Sequence, residues 1–423
     1  MRSRPERIAL WMTLGAWLMA DPRLRGDDAA ADWPQWRGPG RDGKSAETGL
    51  LRSWQEDGPR QLWSAEDLGE GSSPPSVTRT GIYIMGLVGA NEVLFSLGLD
   101  GQVRWRTTCG PGWVKSHKGS RCQPTVEGNR IYFITSLIQA GCVDADTGRV
   151  LWSVDAMREF GGVNRSYGNA ESPLIVNPPG GAAGRMIVTP GGRSASIVAL
   201  DKRTGKTLWK TEALSQPACY CSPILVERGG LRIVVTMLKE GLVGVNADDG
   251  SVLWQAEHRN QYDNHMNSPV YADGLLYVTS GYGAGGRMFR LGEDGRSIEP
   301  VWKQAKPDTM HGGTIRVGGY IYGSSNRNPP KGQWICVDAG SGEVVYERDW
   351  VKAGSATYAD GCLYCYGEDG RVALVPVGPD TTAPSGRFAV AGVAGAHCTH
   401  PVVCGGRLYL RSGSALMAFD VAR

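Results

Sequence analysis

One phrase of sequence recurs along the chain and constrains its fold more than any other feature. In its full form an Asp or Asn is followed four residues later by Gly, and a Trp stands four residues after that Gly. The Asp or Asn side chain accepts hydrogen bonds from the N–H groups of the turn, and Gly supplies the positive φ that closes it. Each copy therefore predicts a hairpin turn that leads into a strand carrying a Trp. Full copies occupy residues 144–152, 201–209 and 246–254, and shortened or altered copies follow Asp100, Asp294, Gly342 and Gly370.

A second phrase alternates with the first and sets the number of repeats. It consists of a Pro, a hydrophobic residue, a turn and then a strand that usually contains Ile-Tyr or Leu-Tyr. Its eight starting positions are 49, 49, 50, 46, 45, 42 and 45 residues apart. Eight units of about 45 residues, each with four short strands, predict an all-β, eight-bladed β-propeller of four-stranded antiparallel blades. The starting positions are Pro75, Pro124, Pro173, Pro223, Pro269, Thr314, Ala356 and Pro401.

The two ends of the repeat region predict how the ring closes. The last unit stops after a third strand at residues 416–420, so its blade lacks a fourth strand. Residues 60–63 precede the first unit and match the Trp-bearing fourth strand of the other units. We expect the strand around Trp63 to pair with the C-terminal blade, which leaves no open end of the ring. An open solenoid would explain neither the short last unit nor the unpaired first strand.

The first 31 residues have the character of an export leader. Three Arg residues lead into an uncharged, mostly apolar run at 8–20, which is short for a bilayer span but typical of a signal peptide. We expect 1–31 to be a signal peptide or leader, 32–59 an N-terminal extension packed on the propeller, and 60–423 the propeller itself. This predicts a bacterial periplasmic or secreted protein without a membrane span in the mature chain; a retained N-terminal membrane anchor is the alternative.

The charge and cysteine patterns exclude several partners and cofactors. A net charge of +3 without any run of five like charges argues against a nucleic-acid surface. The lone Cys-x-x-Cys at 362–365 gives little support for a zinc site, and no Cys-x-x-Cys-His is present for covalent haem. The ten Cys residues are compatible with disulfides after export, but their pairing stays open. We expect a monomer.

The repeats resemble the PQQ-like β-propeller repeats of the quinoprotein alcohol dehydrogenase-like superfamily. The match is close at CVDADTGRVLWSV (142–154) and VALDKRTGKTLWK (198–210), and DWPQWRGPGRDG (32–43) resembles the start of exported bacterial members. The resemblance implies the propeller fold but leaves the function open, because the superfamily contains enzymes, scaffolds and sensors. One branch comprises alcohol and sugar dehydrogenases that hold pyrroloquinoline quinone (PQQ) and calcium. Another is the non-catalytic scaffold lipoprotein of the outer-membrane β-barrel assembly machine.

This chain departs from both branches. It lacks the adjacent Cys-Cys pair typical of alcohol-oxidising members, to which the segment 219–221 (Cys-Tyr-Cys) is the nearest equivalent. It also lacks a lipid-bearing Cys after the leader, because the first Cys is Cys109. We therefore expect an exported binding or scaffold protein that acts through the mouth of its channel without catalysis. A PQQ- and calcium-dependent dehydrogenase that oxidises an alcohol or sugar is the alternative.

The segments that precede the eight starting positions are expected to gather at one mouth of the central channel, because the first strand of each blade lines the axis. Five of the six His residues fall in these segments. A mouth rich in His suits a small ligand, a glycan or a protein partner, and a merely wet polar mouth is the alternative. The candidate cofactor-binding residues are Arg121, Tyr220, His265, His311, Arg327 and His400, of which Arg327 follows from the resemblance.

The resemblance also implies a calcium site on the channel face. Quinoprotein enzymes use a Glu, an Asn and an Asp in chain order there, and Glu171, Asn267 and Asp308 supply that order. Oxygen ligands of this kind suit a hard cation. Asp308 would also serve as the catalytic base of a dehydrogenase. No cofactor other than PQQ and calcium is predicted.

A polysaccharide-binding propeller is a third alternative. The repeated Trp residues are expected to pack between blades and not to meet a ligand. A carbohydrate-stacking platform is therefore sought at the Trp residues outside the repeat, which are Trp113, Trp334 and Trp350.

Overall fold

The protein is described by a computed structural model that covers residues 32–325, 332–390 and 395–423. Within these ranges, 32 strands form eight four-stranded antiparallel sheets. Helical structure among the described residues is limited to α1 (Ala156–Phe160) and a 3-10 turn at Pro179–Gly181. The predicted eight-bladed β-propeller is thus confirmed.

Seven blades each consist of four consecutive strands, and the first strand of each blade is the innermost. Blade 1 contains β2 (Ser76–Thr78), β3 (Gly81–Val88), β4 (Asn91–Leu97) and β5 (Val103–Pro111). Blade 2 contains β6 (Thr125–Glu127), β7 (Arg130–Ile134), β8 (Gln139–Asp144) and β9 (Val150–Asp155). Blade 3 contains β10 (Leu174–Val176), β11 (Arg185–Val188), β12 (Val198–Asp201) and β13 (Thr207–Lys210). Blade 4 contains β14 (Ile224–Arg228), β15 (Leu231–Leu238), β16 (Gly241–Asn246) and β17 (Val252–Glu257).

The remaining blades follow the same order. Blade 5 contains β18 (Val270–Ala272), β19 (Leu275–Thr279), β20 (Gly286–Leu291) and β21 (Ile298–Gln304). Blade 6 contains β22 (Thr314–Val317), β23 (Tyr320–Ser324), β24 (Trp334–Asp338) and β25 (Val344–Arg348). Blade 7 contains β26 (Gly354–Ala359), β27 (Cys362–Gly367), β28 (Arg371–Pro376) and β29 (Gly386–Ala389). Blade 8 contains β30 (Val402–Cys404), β31 (Arg407–Ser412), β32 (Ala415–Asp420) and, from the other end of the chain, β1 (Gln61–Ala65).

Blade 8 closes the ring as the sequence predicts. Strand β1 pairs antiparallel with β32, so that Gln61 lies opposite Phe419 and Trp63 opposite Ala418. An apolar cluster then joins this blade to blade 1 through Tyr409 and Ile84. Both ends of the repeat region are therefore held in one sheet.

The repeated Trp residues fasten six of the eight blades to the blade that follows. Trp105 donates from Nε1 to the carbonyl oxygen of Ala145 at 3.1 Å, in the turn of the following blade. Gly148 in that turn has φ 71°, and a Cβ there would come within 2.8 Å of the Trp105 ring. The turn and the Trp of the repeat are thus two halves of one contact between blades. The same bond is made by Trp63, Trp152, Trp209, Trp254 and Trp302 to the oxygens of Leu99, Lys202, Ala247, Gly295 and Ala339.

None of the ten cysteines, all of which lie in the described part of the chain, forms a disulfide; nine are buried and Cys398 is exposed. Small buried thiols behave as hydrophobic core residues. Among the described residues, no helix has the length and apolar character needed to cross a membrane. Residues 1–31, and with them the predicted leader, lie outside the described part of the chain.

Candidate functional site

The central channel is occupied by residues 33–45 of the chain, which we call the axial plug. At its start, Trp33 exchanges two main-chain hydrogen bonds with Val77 of blade 1, at 2.7 and 2.9 Å. At its end, Gly43 and Ser45 bond the main chain of Tyr358 in blade 7, at 2.9 and 2.8 Å. These contacts use the inner edges of first strands, near the ends remote from the approach segments. The plug therefore enters the channel from the face opposite the mouth.

Two buried arginines hold the plug between the blades. Arg41 donates to the carbonyl oxygens of Ser172, Pro173 and Pro223 at 3.1, 2.9 and 2.8 Å. Arg37 donates to the carbonyl oxygen of Thr314 at 2.5 Å. Burial lowers the pKa of both guanidinium groups to about 10, so both stay charged at neutral pH. Carbonyl oxygens at the inner strands thus take the place of solvent around two buried cations.

The tip of the plug reaches the floor of the mouth. Half-buried Trp36 donates from Nε1 to Ser268 Oγ at 2.9 Å, and its ring meets the buried ring of His400 edge-on with centroids 4.8 Å apart. Burial, and next to it the positive charge of Arg37, holds the pKa of His400 well below its usual value, so this ring is neutral. Through these side chains and main-chain bonds, including one from Val126 to Pro34, the segment contacts all eight blades.

The predicted calcium ligands direct their polar atoms to protein partners. Glu171 accepts from the N–H and the hydroxyl of Thr189 at 2.9 and 3.0 Å. Asn267 accepts from the N–H of Gly313 at 2.9 Å and donates to the oxygen of Thr309 at 2.7 Å. Each side chain therefore braces its own blade or the adjacent approach segment.

Asp308, the predicted catalytic base, is bound in the same way. Its carboxylate accepts three hydrogen bonds of 2.9–3.0 Å from the N–H groups of Gly283 and Gly285 in the Gly-rich turn 281–286. The residue is 1% exposed. This geometry holds the turn in place and leaves the carboxylate little access to a substrate.

These residues do not fit a shared calcium ion as they stand. Burial raises the pKa of Glu171 to about 8, with the Thr189 bonds and the charge of Arg41 opposing the shift, so its carboxyl group is largely protonated at neutral pH. The Arg41 guanidinium beside it would also repel a second cation. The described ranges contain no cluster of three or more His, Cys, Asp or Glu side chains that could hold a metal. Arg327, predicted from the resemblance to contact the quinone, lies outside the described residues. The calcium and PQQ site thus stays a prediction.

The other candidate residues separate into different environments. His265 is buried with Nδ1 2.7 Å from Ser280 Oγ, and burial lowers its pKa to about 4, which makes it a neutral packing residue. His311 Nε2 lies 3.0 Å from a carboxylate oxygen of Glu368. His400 belongs to the floor of the mouth. Arg121 and Tyr220, in contrast, reach the rim of the mouth.

At the rim, aromatic side chains from the segments of blades 2 to 5 form two groups of contacting rings, which together with Trp113 we call the aromatic arc. Ring centroids are 5.3 Å apart for His117 and Tyr167, 5.9 Å for Tyr167 and Tyr220, and 4.7 Å for Tyr262 and Tyr282. Sequence reasoning did not find Tyr167, Tyr262 and Tyr282. These residues lie in segments of irregular length outside the repeat, so no motif indicates that they meet. Its members are Trp113, His117, Tyr167, Tyr220, Tyr262 and Tyr282.

Two of the three Trp residues proposed for carbohydrate stacking are buried and cannot contact a sugar. Trp334 and Trp350 are 1% and 5% exposed, and they stack on each other in the core with centroids 6.4 Å apart. That part of the prediction is wrong because both rings complete the packing of blade 6. Trp113 is half-buried at the mouth, with Lys115 Nζ 5.3 Å from its ring centroid.

The sequence matches known propellers over most of its length. A family model described as outer membrane protein assembly factor BamB matches residues 47–159 and 91–348. The quinoprotein alcohol dehydrogenase PedH of Pseudomonas putida is 30% identical over 176 residues, which are 39% of this chain and 27% of that protein. BamB of Moranella endobia is 21% identical over 271 residues, 60% of this chain and 64% of that protein. The chain thus spans less than two thirds of either relative.

Solved structures share the fold. BamB from Moraxella catarrhalis superposes with a TM-score of 0.60 at 16% identity, over 85% of this chain and 97% of that one. The quinohemoprotein alcohol dehydrogenase from Comamonas testosteroni superposes with a TM-score of 0.63 at 12% identity, over 94% of this chain and 82% of that one. At this identity the likeness concerns the propeller alone.

Proposed function

The chain belongs to the PQQ-like β-propeller family whose model is described as outer membrane protein assembly factor BamB, and on this basis we propose that it is a binding or scaffold protein without redox chemistry of its own. The working surface is the mouth face, which consists of the approach segments and the turns beside them. The proposed location is the periplasm or the outside of the cell. Support for this location comes from the leader-like residues 1–31 and from relatives named as outer-membrane assembly factors.

One observation carries the proposal: the chain fills its own channel. The axial plug brings two buried guanidinium groups to the axis, and the nearby carboxyl and amide groups bond protein donors. A quinone and a divalent cation would have to displace these contacts. At the rim above the plug, in contrast, Tyr262, His117 and Lys115 are exposed to solvent.

The competing proposal is a PQQ- and calcium-dependent dehydrogenase that oxidises an alcohol or sugar. It is favoured by the similarity to PedH and to two polyvinylalcohol dehydrogenases, one of them from Pseudomonas sp. and 32% identical over 162 residues. These matches cover 34–39% of this chain. When bound, the quinone would accept two electrons from the substrate, and Glu171, Asn267 and Asp308 would have to give up their present partners to hold the cation.

Reconstitution separates the two functions. The full chain is mixed with PQQ and calcium and dialysed; its absorption spectrum and its dye-linked oxidation of alcohols and sugars are then recorded. We expect no retained quinone and no turnover. Retained quinone with turnover that Glu171→Ala abolishes and Glu227→Ala preserves would establish the dehydrogenase, because Glu227 is an exposed glutamate near the end of β14 that is remote from the approach segments.

A further inference from the structure

Parts of the aromatic arc face solvent, whereas the axial plug and the residues around it are mostly buried. Tyr262 is 53% exposed, and His117 is also exposed, whereas Tyr167, Tyr282 and Trp113 are half-buried. Tyr220 is buried beneath Tyr167 and supports it. Tyr262 and His117 therefore present ring faces or edges at the rim of the mouth, and each contacts a half-buried ring. Exposed apolar groups that lie close together on a protein surface are typical of a binding site.

Arginine bonds hold the arc in position without a ligand. Arg121 donates to the carbonyl oxygens of Tyr167, at 2.8 Å, and of His117, and so ties the approach segment of blade 2 to that of blade 3. Arg165 donates to the oxygens of Tyr262, at 2.8 Å, and of Asp263, and so ties blade 3 to the segment between blades 4 and 5. A surface ordered before binding loses less conformational entropy on binding.

The backbone of the arc is also constrained. His117 and Tyr282 have φ values of 53° and 65°, in the left-handed region that residues with a Cβ seldom occupy. Tyr282 follows Gly281 in the turn that Asp308 holds through Gly283 and Gly285. The carboxylate predicted to be catalytic thus acts as a positioning group for a ring of the arc.

The surroundings of the arc are positively charged. Lys118 pairs with Glu70 at 2.9 Å, and Asp263 accepts two bonds from Arg259, with Lys239 at 3.7 Å. The cations outnumber these two carboxylates. Arg121 and Arg165 donate to neutral carbonyl oxygens, and the carboxyl group of Glu92, which is close enough to affect the pKa of Arg121, is buried. The basic residues of the arc and its border are Lys115, Lys118, Arg121, Arg165, Lys239 and Arg259.

We propose that the aromatic arc binds an acidic polysaccharide, with its ring faces stacking on sugar rings and the surrounding cations pairing with the uronate carboxylates. The proposal rests on the proposed function, since it names the ligand of the same mouth face. Charge complementarity selects the acidic polymer over a neutral one.

Binding of polygalacturonate to the full chain tests the proposal, by titration calorimetry at low and high salt. A neutral galactan of the same length and an oligo(dT) strand are run in parallel. We expect binding of polygalacturonate that weakens as salt rises, because the cations involved are solvent-exposed. Failure to bind polygalacturonate, equal affinity for galactan, or preference for oligo(dT) would each overturn the proposal.

Variants locate the binding on the arc. The double variant Tyr262→Ala/Tyr282→Ala should lower the affinity about tenfold or more, as loss of a central aromatic anchor does. Val301→Ala, which shortens an exposed side chain on the outer strand of blade 5, should leave it unchanged. Lys115→Gln should weaken binding at low salt, while exposed Lys206→Gln on the opposite face should not. Equal affinities for the arc and control variants would place the ligand elsewhere and refute the assignment.

The glycan-binding test and the reconstitution test can fail independently of each other. A chain that retains no quinone and binds no acidic glycan would lose this inference but keep the scaffold proposal. A chain that retains quinone and turns over substrate would lose the scaffold proposal, whichever glycans it binds.

Discussion

The axial plug and the aromatic arc are built from the same kinds of side chain, arginines and aromatic rings, but in opposite environments. In the axial plug, Arg37 and Arg41 are 2% and 3% exposed and donate to main-chain oxygens. In the aromatic arc, Tyr262 is 53% exposed and Lys115 stands over Trp113 at the surface. A buried cation requires fixed partners to remain charged, whereas an exposed ring keeps a face for another molecule. Burial, and not closeness to the axis, therefore determines the role of each of these residues.

The largest effect on the free energy of unfolding is expected for the buried Arg41. Arg41→Met removes the donor from three buried carbonyl oxygens and should lower the free energy of unfolding by about 3 kcal/mol or more. Arg165→Met, the matched change at the half-exposed mouth, should cost about 1 kcal/mol because water replaces the lost donor. Urea unfolding followed by Trp fluorescence measures both. Equal losses would show that the plug is no more essential to the fold than the rim.

The second prediction concerns pH and the carboxyl group beside the plug. The folded pKa of Glu171 is raised to about 8, so between pH 4.5 and 8 the folded chain binds a proton that the unfolded chain has released. The stability that this group contributes therefore falls as pH rises through that window, by at most about 1.4 kcal/mol per pH unit. Glu171→Gln should remove this slope.

Unfolding free energies at pH 5, 6, 7 and 8 test it. The stability of Glu171→Gln relative to the wild type should rise as pH rises. Glu227→Gln, a change at an exposed site, should show the same pH dependence as the wild type. A parallel course for wild type and Glu171→Gln would mean that Glu171 is ionised in the folded chain. The carboxylate would then be a better cation ligand than its burial suggests.

How far the sequence predicts this molecule depends on where its contacts lie in the chain. The blades and their closure were predictable because one repeat carries both the docking Trp and the turn Gly that receives it, as in Trp105 and Gly148. The plug was not, because Arg37 bonds Thr314, 277 residues away, and residues 33–45 have no strand periodicity. For Glu171 and Asp308 the chain order indicated their place near the axis. Their side-chain directions depended on Thr189, Gly283 and Gly285, which no motif connects to them.

A smaller effect is expected from one hydrogen bond in the plug and one in the arc. Trp36→Phe keeps a ring against His400 but removes the bond from Nε1 to Ser268 Oγ, and should cost about 1 kcal/mol. Trp113→Phe removes a bond from Nε1 to the oxygen of Ser116, an exposed acceptor that water can satisfy. Its cost should be a few tenths of a kcal/mol. The reverse order in urea unfolding would contradict the structural role assigned to Trp36.

The smallest expected effect is at the most exposed ring of the arc. Tyr262→Ala should change the free energy of unfolding by less than about 0.5 kcal/mol, because more than half of the side chain already faces solvent. Tyr220→Ala, which removes the buried supporting ring, should cost about 3 kcal/mol. A loss above about 1 kcal/mol for Tyr262→Ala would mean that its ring is committed to packing on Tyr282. The ring of Tyr262 would then have no free face for a sugar, and the arc would be a packed structural element like the plug.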